Sequence, residues 1–95
     1  MHIGRVIGTV VATRKDERLV GSKLMVTQPL NIDFQPIGES LIAVDTVGAG
    51  IGELVIFTKG TAARIAAEKM DAPIDIAIVG IIDEIDIFKE PLGEK

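Results

Sequence analysis

Cysteine is absent from the 95 residues, which excludes disulfide staples and thiolate metal sites. Tryptophan and tyrosine are absent too, and phenylalanine occurs three times. Proteins that hold single-stranded nucleic acid stack bases on aromatic rings in a basic groove. This chain is poor in rings and carries a formal net charge of −4, the wrong sign for neutralising phosphates. Its ten Lys and Arg are scattered. The one tight group, Arg14, Lys15 and Arg18, has Asp16 and Glu17 among it and reads as a solvated turn. No nucleic-acid partner is expected.

No apolar run approaches the roughly 20 residues that a membrane helix needs. The richest stretch, residues 74–87, is broken by Asp75, Asp83, Glu84 and Asp86, so no membrane partner is expected either. The N-terminus lacks the basic and apolar sections of a signal peptide, which predicts a cytoplasmic protein.

The catalytic inventory is thin. Histidine occurs once, at His2, and serine only at Ser22 and Ser40, so a nucleophile and its base have no clear source. Asp83, Glu84 and Asp86 could ligate a hard cation. Along a strand, however, Glu84 and Asp86 share one face while Asp83 points away, which fits a solvated strand end that discourages edge pairing. Asp45, beside a glycine-rich loop, is the best acid–base candidate, although a lone Asp at a strand end commonly serves a turn. No catalytic, cofactor-binding or metal-binding set is expected.

What the chain has in quantity is apolar material, 47% of its residues. One domain is predicted over residues 1–89, followed by a loose polar tail at 90–95. A domain this small buries a modest share of its unfolded surface. Some of its apolar surface is therefore expected to meet another chain.

Residues 3–13 are rich in Val, Ile and Thr and read as a strand. Gly4 and Gly8 are expected on one face of it, where strong barrel curvature would suit them. Residues 23–28 form a second strand stopped by Pro29, 41–46 a third and 53–58 a fourth. Thr61 is placed to cap a short helix over 62–70, with Ala62, Ile65, Ala66 and Met70 as its apolar stripe. Residues 74–88 read as a long last strand. Its buried face switches near 80–83, from Ile74, Ile76, Ile78 and Ile82 to Ile85 and Ile87. Such a switch implies a bulge, a bend or a change of packing partner. The sum is mainly β: a small OB-like, five-stranded antiparallel barrel with one short helix between strands 4 and 5.

The run Gly48-Ala49-Gly50-Ile51-Gly52 superficially suggests a phosphate-cradling loop. Its third glycine comes one residue early for the dinucleotide fingerprint, and a strand follows it rather than a helix. A tight backbone turn or a close subunit contact is the expected role. A small acidic OB-like module for a ligand or peptide, and an enzyme built on Asp45, stay open as alternatives at this level.

Three blocks narrow the choice. They are IGRVIGTVVATRKDERLVGSKLMVTQP near the start, AVDTVGAGIGELVIFTKGTAAR in the middle, and PIDIAIVGIIDEIDI near the end. Together they resemble the EutN/CcmL family of bacterial microcompartment vertex proteins, which includes the carboxysome vertex protein and the ethanolamine-utilisation shell protein EutN. The specific part is Ala43 to Glu53 followed by Gly60 to Arg64. The resemblance implies a non-enzymatic, OB-like subunit without cofactor that forms a homopentamer. It would sit at the fivefold vertices of a polyhedral shell in the bacterial cytoplasm, beside hexameric or trimeric tile proteins. It places Asp45, Gly48, Ala49, Gly50, Gly52, Glu53 and Arg64 at a subunit interface or near the ring axis, with Arg64 bonded to a backbone carbonyl or a carboxylate.

Overall fold

Five strands close into a barrel in the order β1-β2-β3-β5-β4. They are β1 (His2–Val10), β2 (Lys23–Leu30), β3 (Leu41–Asp45), β4 (Leu54–Lys59) and β5 (Ile76–Ile81), with the helix α1 (Thr61–Ala67) between β4 and β5. The computed structural model describes residues 1–13 and 15–88. The expected tail at 90–95 and the boundary at 89 lie outside the described residues. Mainly β, five strands and one short helix agree with the sequence reading. Four of the strand pairings are antiparallel. The barrel shuts through a short parallel contact, Val44 opposite Ala77 and Asp45 opposite Ile78. The α1 crossover makes this possible, because parallel strands need a long connection.

Alternation builds two apolar layers. Val6, Met25, Ala43, Val55, Phe57 and Ile78 point inward and fill the barrel, joined by Ala49 from the loop after β3. Val44, Ala63, Ala72, Ile74 and Ala77 form a second layer between the barrel wall and α1. His2 stacks on the edge of the first layer, its ring 5.1 Å from that of Phe57.

Several local expectations are corrected. β1 shifts register between Val6 and Gly8. Gly4 therefore faces the core, against Thr27 and Phe57, while Gly8 meets Val26 on the other face. β2 does not stop at Pro29 but runs to Leu30. Pairing with β3 ends at Thr27 opposite Leu41, so the missing proline N–H falls where no ladder bond is required. The helix is shorter than 62–70 and starts on Gly60, with no side-chain cap from Thr61. Its buried side is Ala63, with Ala66 and Ala67 packed beside it, whereas Ile65 and Met70 are exposed. β5 ends at Ile81, and residues 82–88 leave the sheet. The reason is the partner: β4 begins at Leu54, whose carbonyl accepts from Ile82 N–H at 2.9 Å, and beyond it β4 offers nothing to pair with.

Candidate functional site at the glycine loop

The loop between β3 and β4 is held by the two acids that bracket it. Asp45 Oδ1 accepts from the N–H groups of Val47 and Gly48 at 3.0 and 3.1 Å. Asp45 Oδ2 accepts from Ala49 N–H at 2.9 Å. Glu53 Oε1 accepts from Gly50 N–H at 2.6 Å. A carboxylate that takes several backbone N–H groups is committed to shaping the chain, so the turn reading of Asp45 is the one the geometry realises. Gly48 and Gly52 have φ of +81° and +92°, a region that a residue with a Cβ enters only at a cost.

The loop is also stitched to the barrel. The Thr46 hydroxyl donates to the Ile78 carbonyl at 2.7 Å. Val6 N–H donates to the Glu53 carbonyl, and Gly52 N–H to the Val6 carbonyl. Ala49 is fully buried and plugs the core, while Val47 and Ile51 are exposed. The result is a fixed loop that presents apolar side chains outward.

Of the residues singled out from the sequence, the fold gathers Asp45, Gly48, Ala49, Gly50, Gly52 and Glu53 in this one loop. Arg64 stands apart on α1: it donates to the Thr61 hydroxyl at 3.1 Å and to the Ile74 carbonyl at 3.5 Å, within its own subunit. Sequence reasoning missed Arg5, whose Nη1 donates to the Gly52 carbonyl at 2.7 Å. A single cation inside an apolar strand was the signal available.

Two groups with clearly displaced carboxylate or imidazole acidity lie away from the loop. Hydrogen bonds from the Arg18 side chain, then from its backbone N–H, hold the Asp16 carboxyl down at about 2. Desolvation, then Lys59 and the N-terminal ammonium, push the His2 imidazole below its ordinary value. Among the described residues, no group of three or more histidines and acids is placed to hold a metal ion. No helix among them is long and apolar enough to cross a membrane.

Comparison with known proteins agrees with this fold. The family model for ethanolamine utilisation protein EutN/carboxysome matches residues 1–83. The chain is 48% identical over 86 residues to the bacterial microcompartment shell vertex protein GrpN of Rhodospirillum rubrum, covering 90% of this chain and 97% of that protein. It is 41% identical over 95 residues to the carboxysome shell vertex protein CcmL of Gloeobacter violaceus, covering 100% of this chain and 95% of that one. The solved structure of the pentameric GrpN shell protein superposes with a TM-score of 0.84 at 45% identity, over 93% of this chain and all of the other. The chain therefore belongs to the EutN/CcmL family, whose named relatives are microcompartment shell vertex proteins.

Proposed function

We propose that this chain is a structural shell subunit that forms a homopentamer and caps the fivefold vertices of a polyhedral bacterial microcompartment in the cytoplasm. The observation that carries the reading is the likeness to the pentameric GrpN shell protein along nearly the whole chain. Flat sheets of hexameric or trimeric tiles do not close into a polyhedron unless fivefold units occupy the corners. The function is thus geometric, and no chemistry is required of the subunit.

The physical state of the surface supports an assembled form. Ile51 and Ile65 are 65% and 60% exposed in the lone subunit, and exposed apolar surface on this scale calls for a partner. A fivefold ring has no twofold axis in its plane of contacts, so each subunit must offer two different faces that fit each other. In this reading the loop bearing Asp45, Gly48, Ala49, Gly50, Gly52 and Glu53 lies at a subunit contact or near the ring axis. Arg64 stiffens the helix beside a neighbour.

Deletion of the gene in a host that builds shells is expected to leave elongated or open shells, visible by electron microscopy. The encapsulated enzymes should keep their activity in extract. Normal closed shells, or enzymes inactive in extract, would overturn the proposal.

A further inference from the structure

Residues 82–88 have the composition of a strand and lack a strand partner. Ile82, Ile85, Ile87 and Phe88 alternate irregularly with Asp83, Glu84 and Asp86, and β-branched and aromatic side chains favour extended backbone. After the bond from Ile82 N–H to Leu54, no backbone hydrogen bond among the described residues ties this segment to the barrel. Phe88 is 69% exposed, and Ile87 is exposed beside it.

The barrel also carries a strand edge without a partner. β1 is flanked on both sides only at its start. His2 to Arg5 pair with β4, and Val6 exchanges bonds with Gly52 and Glu53. Over residues 7–10, β1 is bonded to β2 alone. An antiparallel strand directs about half of its backbone groups to each side, so this stretch offers an open row of donors and acceptors, the usual template for strand addition. Ile7 is 50% exposed within it, and Val11 is 90% exposed just past it. Lys23 starts β2 at the same end and Lys15 lies in the adjoining loop; neither makes a side-chain hydrogen bond or ion pair with the described residues. Two other edges are less available. The end of β2 is covered by the bond from Ile37 N–H to the Pro29 carbonyl and by the bridge of Leu30 with Pro36. The middle of β5 is taken by the chain's own Thr46, which bonds the Ile78 carbonyl.

We propose that residues 82–88 of one copy add as a strand to the open β1 edge, residues 7–10, of the next copy around the ring. This rests on the ring assembly proposed above and specifies how its subunits hold one another. Seven extended residues reach about 23 Å, at roughly 3.3 Å each, enough to cross the four-residue edge. Main-chain bonds hold the arm, Ile85 and Ile87 meet the apolar Ile7 and Val11, and Asp83, Glu84 and Asp86 pass the lysines at 15 and 23. The opposite charges favour this register over a like pairing of two arms or two edges. Donor and acceptor are different surfaces, so each copy gives one arm and receives one, as a closed cyclic assembly requires.

The absence of cysteine makes the test clean. One tagged chain carries Thr9→Cys, a second, differently tagged chain carries Ile87→Cys, and the two are co-expressed and oxidised. A disulfide between the two tags is expected, and neither variant alone should give it. Separately, Ile85→Asp with Ile87→Asp should abolish the ring in native mass spectra while the circular dichroism of the folded barrel persists. Asp83→Lys, Glu84→Lys and Asp86→Lys together should also lose the ring, and Lys15→Glu with Lys23→Glu should restore it. If the unsubstituted chain forms rings but the isoleucine variant keeps them and no cross-link forms, arm exchange is overturned and the ring stands. If the unsubstituted chain is monomeric, both fall. A Thr9→Cys cross-link to a tile protein in assembled shells, absent from isolated rings, would also overturn it.

Discussion

At the scale of single residues, the loop after β3 turns on Asp45. Its carboxylate satisfies three successive backbone N–H groups, and polar groups left without partners cost about 1–3 kcal/mol. Asp45→Ala is expected to destabilise the fold by about that much, and each kcal/mol lowers Tm by roughly 4–8 °C in a domain of this size. Asp45→Asn, which keeps one acceptor oxygen, should fall between. Thermal melts at one fixed protein concentration check this, because assembly makes Tm concentration-dependent. Gly4 is a second sensitive point. A Cβ there would lie 2.8 Å from Thr27 Cγ2 and 3.1 Å from the Gln28 carbonyl. Gly4→Ala should therefore cost about 1–3 kcal/mol through overpacking, read as a lower denaturant midpoint. An unchanged midpoint would contradict the close approach. At this scale the sequence was partly legible. The two readings of Asp45, turn and acid–base, could be written down, but only the fold chooses between them. Arg5 stood out only as a lone cation in an apolar strand, and its role was not readable, because its partner carbonyl lies 47 positions away and is brought near only when β1 runs beside the loop.

At the scale of elements, propensity located the strands and the helix, and packing decided where they end. β5 stops because β4 starts at Leu54, a fact about a different segment. The apolar stripe read through Ile65 and Met70 was off because alanines fit closer to the barrel wall: Ala63, Ala66 and Ala67 take the buried side. The charged group around Arg18, read from the sequence as a solvated turn, is fastened as well as exposed. Arg18 donates to Asp16 at 2.6 and 2.8 Å and to the Asp71 carbonyl at 2.6 Å. Lys69 returns a bond to Ser22 at 2.9 Å. The turn is thereby latched to the segment after α1. The Asp16 carboxyl, held at about 2 against an ordinary 3.8, favours the folded turn above its ordinary range, and that contribution is lost as pH falls through about 2. Carboxyl titration by NMR should show Asp16 ionised well below the ordinary carboxyl range. In Arg18→Ala it should return toward the ordinary range. An Asp16 titration that Arg18→Ala leaves in place would contradict the latch.

At the scale of the whole molecule, a five-stranded barrel was readable from the strand count, the short connections and the apolar content. The strand order was not, since the parallel closure of β3 on β5 joins residues more than 30 apart and leaves no periodic trace in the chain. The site was legible as a cluster, because six of its seven named residues lie within one short loop of the sequence; Arg64 proves to bond within its own helix region. The barrel leaves apolar side chains on its outer wall and an acidic stretch, residues 82–88, past its last strand, which is the surface the proposed assembly would use. All of this meets in one quantity, the mass of the assembled particle. Native mass spectrometry of the untagged full chain at micromolar concentration is predicted to give one dominant species at five times the 10.1 kDa chain mass. A single species at the chain mass, persisting from micromolar to millimolar concentration, would contradict the account.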